Sequence, residues 1–158
     1  MEAGKNQHSV RRATPEDAAE VARLLHDFNT EFGEPTPGVA VLAERAERML
    51  AAGALTVLLA GEGPDGLAQL RFSPSVWSDA PGAYLEELYV APPQRGRGLG
   101  RALLDAAMEA AREAGADHID LNTAETDTAA CALYESAGFT NRESRPDGPR
   151  MLYYEREL

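Results

Sequence analysis

The sequence predicts an α/β fold: a mixed, mostly antiparallel sheet of roughly seven strands with helices on both faces. Three observations predict it. Four segments carry apolar residues at helical spacing. Short β-prone runs lie between them, and two of these runs flank a Gly-Pro-Asp-Gly turn in the manner of a hairpin. The order is strand, two helices, three strands, helix, strand, helix, two strands, so some strands are joined by turns and others across helices. With no internal repeat, linker or low-complexity stretch, the 158 residues are expected to form one domain, 1–158, with residues 1–7 as a flexible N-terminus.

Ser9 to Ala13 reads as the first strand. Thr14 is placed to cap a helix, with Pro15 at its first position and Glu16 and Asp17 in its first turn. Ala18, Val21, Leu24, Leu25 and Phe28 form its apolar stripe. Pro35 and Pro37 break the chain, and a second helix follows with Val39, Leu42, Ala46, Met49 and Leu50 inward. Leu55–Ala60 and Leu67–Phe72 are the hairpin strands, and Ala83–Val90 is the next strand. Gly98–Ala114 is a helix with Leu99, Ala102, Leu103, Ala106 and Ala110 on one face. His118–Leu121 is a short strand, and Asp127–Ala137 is a helix closed by Gly138. Thr140–Glu143 and Met151–Glu155 are expected as two late strands around the turn Arg145–Pro149.

Composition removes several classes. A net charge of −11 argues against a nucleic-acid partner, because phosphate binding needs a basic surface. The same acidity either draws in a cationic acceptor or only keeps the chain soluble. No apolar run approaches the ~20 residues that cross a bilayer, and residues 1–7 lack a secretory apolar core. Cys131 is the single cysteine, so no intramolecular disulfide forms and a cytoplasmic location is expected. His8, His26, His118 and Cys131 show no metal-ligand spacing, so no metal is expected.

The chemistry concentrates between Tyr84 and Leu104. A strand, Tyr84-Leu85-Glu86-Glu87-Leu88-Tyr89-Val90, leads through Ala91-Pro92-Pro93 to Gln94-Arg95-Gly96-Arg97-Gly98-Leu99-Gly100-Arg101, which opens into a helix. Amides at a helix start have no partner within the helix, and the helix dipole makes them attractive to anions. Glycines let a phosphate approach them, and Arg95, Arg97 and Arg101 add charge. A P-loop would end in Gly-Lys-Ser/Thr, whereas here Gly100-Arg101-Ala102 follows. A dinucleotide loop would need a third glycine where Arg101 or Leu103 stands. The pattern R/Q-x-x-G-x-G/A is met by Arg95, Gly98 and Gly100.

That pattern, with its preceding strand, resembles the central motif of the GNAT superfamily of N-acetyltransferases. Ala130-Cys131-Ala132-Leu133-Tyr134-Glu135-Ser136-Ala137-Gly138-Phe139 resembles the second motif, and Tyr154 to Leu158 resembles common family endings. The resemblance covers nearly the whole chain. It implies a sheet splayed in its middle to hold acetyl-CoA, with the backbone of Leu88, Tyr89 and Val90 on the pantetheine arm. It places the pyrophosphate on the amides of Gly96, Arg97, Gly98, Leu99, Gly100 and Arg101.

The implied reaction is direct acetyl transfer to a primary amine of a small molecule or peptide. An alkyl ammonium titrates near ~10.4 and must lose a proton before attack, so a base is useful. Glu86 and Glu87 are candidates, and on regular strand geometry they point to opposite faces. Glu86 is favoured, because the resembling spermidine/spermine acetyltransferases have a proposed catalytic glutamate there. A substrate-binding role, or a water relay from another carboxylate, stays open. Tyr134 is the expected acid for the departing thiolate, the alternative being a buried aromatic with a satisfied hydroxyl. Asp127 stands where many relatives have a cofactor-contacting Asn, and it is equally placed to cap a helix. Cys131 lies one turn from Tyr134, as an acetyl carrier or as a small packing residue.

The resemblance builds the acceptor pocket from roughly residues 28–41, 72–77 and 145–151, with Phe32, Trp77, Tyr153 and Tyr154 as candidate lining. It also makes a homodimer paired through the late strands a reasonable arrangement. A non-catalytic acyl-CoA-binding or regulatory domain of the same fold is the alternative to the enzyme.

Overall fold

Apolar alternation in the strands is what sorts this molecule into layers. In the computed structural model, which describes residues 8–158, five strands form one sheet: β1 (Val10–Arg12), β2 (Thr56–Ala60), β3 (Gly66–Ser73), β4 (Gly82–Val90) and β5 (Ile119–Asp120). Spatial order follows chain order; β1 to β4 pair antiparallel, while β5 joins β4 in parallel. The helices are α1 (Ala18–Glu31), α2 (Val39–Ala51), α3 (Leu99–Glu113) and α4 (Thr128–Ser136). The expectation of a flexible segment at 1–7 lies outside the described residues.

Contacts divide the chain into two units, Met1–Leu121 and Asn122–Leu158. In the first, Val57, Leu59, Leu67 and Tyr89 point to one face of the sheet and bury against Val21, Leu24 and Ala46 of α1 and α2. The alternate residues point the other way, where α3 packs. A Cβ at Gly66 would meet the Leu103 side chain at 3.1 Å, so β3 and α3 approach closely there. Leu103, Leu104 and Ala107 on that helix are fully buried.

The start of α1 differs in detail from expectation. Pro15–Asp17 forms a 3-10 turn, and the α-helix begins at Ala18. Asp17 organises the turn by accepting from the Arg11 guanidinium and from the Thr14 amide, each at 2.8 Å. Those two contacts, Arg11 first, hold its carboxyl well below the usual carboxylate range.

The second unit corrects the strand count. The expected strands Thr140–Glu143 and Met151–Glu155 do not form; one antiparallel bridge, Arg142 to Arg150, is what closes the turn between them. Glu143 donates to Pro149 at 2.9 Å and Met151 to Asn141 at 2.7 Å. The chain therefore reverses as predicted, but Met151, Leu152, Tyr153 and Tyr154 stay exposed. Apolar alternation specifies a strand only when one face is buried, and here neither is. Helix α4 ends as predicted: Gly138 has φ 91°, Gly138 donates to Glu135 at 3.1 Å and Phe139 to Tyr134 at 3.0 Å, a Schellman closure.

Leu67 is fully buried between the sheet and α1–α2. Leu67→Ala is expected to lower unfolding free energy by about 2–5 kcal/mol in urea denaturation. An unchanged midpoint would contradict this packing.

Candidate functional site

Strand β4 builds the site, because its two edges are treated differently. One edge pairs with β3 along its whole length. The other pairs with β5 only at Ala83 and Tyr84. From Leu85 to Val90 that edge meets no strand among the described residues of this unit. The outward backbone polar groups of this stretch therefore pair with no strand there, although the Val90 carbonyl accepts from Arg95 at 2.9 Å. The side chains serve packing: Tyr89 is buried and stacks on Phe28 with ring centroids 5.0 Å apart. Burial, with Glu31 and Asp27, raises its phenol above the ordinary value, so it stays neutral.

The strand leads directly into the glycine-rich loop. Pro92–Gln94 makes a 3-10 turn, and Gly96 and Gly98 take φ of 76° and 87°, a left-handed conformation that favours glycine. Gly98 is the N-cap of α3, whose first intrahelical bond runs from the Ala102 amide to the Gly98 carbonyl at 3.0 Å. The amides of Leu99 and Gly100 lie ahead of that bond and outside the helical ladder. A Cβ at Gly96 would stand in open space, whereas one at Gly98 would meet the His8 imidazole at 3.1 Å. Glycine is therefore required at Gly98 by backbone conformation and by His8, a different reason from the phosphate clash that the sequence suggested.

The three arginines have distinct jobs. Arg95 donates to the Val90 carbonyl at 2.9 Å and to Glu31 at 2.6 Å, and lies 5.7 Å from the Tyr89 ring centroid. It braces the end of β4 against the end of α1. Arg97 donates to Gln94 at 3.2 Å, and Arg101 pairs one turn on with Asp105 at 3.0 Å.

A second polar feature sits in the middle of β4. Gln69 pairs with Glu87, but the next residue, Leu70, pairs with Leu85. Glu86 is the extra residue of a β-bulge. Its carboxylate accepts from Gln69 at 2.7 Å and forms an ion pair with Arg71. Gln69 and Arg71 share the face of Leu67, the face that carries α1 and α2. The expectation that Glu86 and Glu87 point to opposite faces is therefore wrong: the bulge turns both carboxylates to one side. Burial first, and Glu86 second, push the Glu87 carboxyl up to about 7. Gln69 and Arg71 were missed from the sequence, although a glutamine and an arginine two residues apart in an otherwise apolar strand, Leu-Ala-Gln-Leu-Arg-Phe, were a visible signal.

In the second unit, Asp127 caps α4, its Oδ1 accepting from the Ala130 amide at 3.0 Å. Tyr134 lies on that helix with its ring centroid 5.9 Å from Phe139. Cys131 is half-buried, its sulfur 3.7 Å from the Ala124 carbonyl.

Among the candidate acceptor residues, Trp77 is 93% exposed on the β3–β4 loop and Tyr154 is 83% exposed, so neither lines a closed pocket. Phe32 and Tyr153 are also exposed, Phe32 resting edge-on against Phe28. The same loop shapes an open cavity of about 510 Å³, bordered by Phe72, Ser73, Ser75, Ser78 and Asp79 among others. No helix among the described residues is long and apolar enough to cross a membrane. None of them form a cluster of three metal-ligating side chains.

Comparison with known proteins bears on the family and the fold. The model of the acetyltransferase (GNAT) family matches residues 13–139. A crystal structure of a provisionally assigned acetyltransferase from Arthrobacter sp. FB24 superposes with a TM-score of 0.90 at 51% identity, covering 99% of this chain and all of that one. Aminoglycoside N(6')-acetyltransferase type 1 of Stenotrophomonas maltophilia is 29% identical over 95% of this chain and 94% of its own length. Mycothiol acetyltransferase of Beutenbergia cavernae is 44% identical over 69 residues, 42% of this chain, and the match spans 23% of that longer protein.

Gly98→Val would force a branched side chain into a left-handed conformation at the mouth of the loop. It is expected to weaken CoA binding about tenfold or more by calorimetry. An unaltered dissociation constant would remove this loop from cofactor binding.

Proposed function

The chain belongs to the acetyltransferase (GNAT) family, a family of acetyl-CoA-dependent N-acetyltransferases, and on that premise we propose that it transfers acetyl directly to a primary amine of a small polyamino molecule. The observation that carries this reading is the edge of β4 from Leu85 to Val90, which no strand pairs among the described residues of its unit and which leads into the left-handed glycines before α3. A pantetheine arm is an extended chain with amides, so a strand edge is its natural partner. A pyrophosphate is an anion, so a helix start with two side-chain-free residues suits it.

In this reading, Leu88, Tyr89 and Val90 hold the pantetheine through their backbone. The amides from Gly96 to Arg101 take the pyrophosphate, Arg97 and Arg101 add positive charge, and Arg95 keeps the strand end in place through Val90 and Glu31. Acetyl-CoA supplies an activated thioester carbonyl. The protein's own task is to remove one proton from the incoming ammonium and to deliver one to the departing sulfur. Carboxylates on the α1–α2 face serve the first step. Tyr134 serves the second, a role taken from the family resemblance. Asp127 acts as the cap of α4.

The acceptor class is supported by two features. The carboxylates Glu86 and Glu87 on one face favour a cationic acceptor. The relative from Stenotrophomonas maltophilia, matched over nearly its full length, is an aminoglycoside acetyltransferase. Polyamino sugars are therefore the first acceptors to test.

Thiol release from acetyl-CoA, followed across aminoglycosides, polyamines, amino acids and peptide N-termini, is expected to be fastest with an aminoglycoside. CoA binding without thiol release for any of them would overturn the transferase reading. Tyr134→Phe is expected to lower kcat by about 10²–10⁴-fold while leaving the CoA dissociation constant within a few fold, and unchanged turnover would remove Tyr134 from the acid role.

A further inference from the structure

Two glutamates on adjacent positions of β4 face the same side, but they are not equivalent. The Glu86 carboxylate is occupied. One oxygen accepts from Gln69 at 2.7 Å and the other is paired with Arg71. Both of its oxygens are therefore engaged within the sheet before any acceptor arrives. Glu87 has neither partner. Among the described residues no side chain donates to it, and it is largely withdrawn from water.

Gln69 adds an independent observation. It is 8% exposed, its Nε2 donates to Glu86, and its Oε1 is buried with no hydrogen-bond partner among the described residues. Unpaired buried acceptors are uncommon because they have lost water without replacement. The residue directly across the ladder from Gln69 is Glu87. A carboxylate has no proton to give, but a protonated carboxyl is an O–H donor. The cluster is thus short of one donor when Glu87 is ionised, and is completed when Glu87 carries a proton.

Resting on the transferase reading above, we infer that Glu87, and not Glu86, takes the proton from the acceptor ammonium, with the Gln69 Oε1 positioned to receive the resulting O–H. The acceptor nitrogen loses one proton to the Glu87 carboxylate and gains a lone pair. That pair forms the bond to the acetyl carbon as the carbon–sulfur bond breaks. Glu86 is a positioning residue: with Arg71 it keeps Gln69 turned so that Nε2 faces Glu86 and Oε1 faces away. The charged groups that bear on Glu87 are Glu86 on its own strand and, through Glu86, Arg71 on β3. Asp27, Glu31 and Arg23 of α1 act on the Tyr89 phenol two residues along.

The test is the pH dependence of kcat/KM for wild type, Glu87→Gln and Glu86→Gln, with acetyl-CoA binding measured in parallel by calorimetry. The base must be ionised to work, so wild-type activity is lost as pH falls through the Glu87 value of about 7. Glu87→Gln is expected to reduce kcat/KM about 10²–10⁴-fold and to abolish that acid limb, with acetyl-CoA binding retained. Glu86→Gln removes a neighbouring negative charge and leaves Arg71 unpaired, so its limb persists but moves to lower pH. A wild-type limb in Glu87→Gln, or loss of the limb in Glu86→Gln, overturns the assignment. Carbon NMR of the glutamate carboxyls in the wild-type protein tests it without mutation: a Glu87 midpoint near the ordinary ~4.3 overturns it too. Absence of wild-type thiol release with every amine instead overturns the transferase reading, a result distinct from either.

Discussion

Everything in the site depends on β4 keeping one edge paired and the other open. A strand inside a sheet normally satisfies its backbone on both sides, and leaving a row of amides and carbonyls unmatched is costly unless water or a ligand takes them. Here β5 pairs with β4 only at Ala83 and Tyr84, and among the described residues of this unit no strand pairs that edge from Leu85 to Val90. What holds such a strand in place is its other edge, where β3 pairs from Gly66 to Ser73, and the packing of Tyr89 into the core beneath α1 and α2. Arg95 then ties the strand end to Glu31 of α1.

The bulge at Glu86 exploits the same strand for a second purpose. A regular strand alternates its side chains, so adjacent residues cannot share a face. Inserting one residue opposite the Gln69–Leu70 bond breaks that alternation at a single point. Two glutamates then share the α1–α2 face, and Arg71 of the neighbouring strand pairs with Glu86 alone. One carboxylate is engaged by Gln69 and Arg71 and the other is pushed towards neutrality by burial and by its neighbour, which separates them although they are the same residue type and neighbours in sequence. The net charge of −11 does not produce the Glu87 shift; local burial and the adjacent Glu86 do.

Much of this molecule was legible from residue order. The helices and the first five strands lie within a few residues of the positions expected from periodicity. Gly98 at the start of α3, Gly138 at the end of α4 and Asp127 as a cap follow from local rules of backbone conformation and hydrogen bonding. The late strands were not legible. Met151 to Tyr154 have strand-like composition, yet strand formation needs a partner and a buried face, and composition supplies neither. The face of Glu86 was likewise misread, because a bulge is a property of a pair of strands and leaves no mark on the alternation of one.

The sequence by itself pointed to the family, through the resemblance of two motifs, and to an α/β fold with a glycine loop before α3, whose helices and turns rest on residues close in the chain and on conformations that favour glycine. The tertiary structure alone decided which edge of β4 stays open, which glutamate is occupied, and that Gln69 carries a buried acceptor without a donor. Those facts depend on the register of β3 against β4 and on burial beneath α1 and α2. Register and burial are set by the whole fold at once, so no local stretch of residues encodes them.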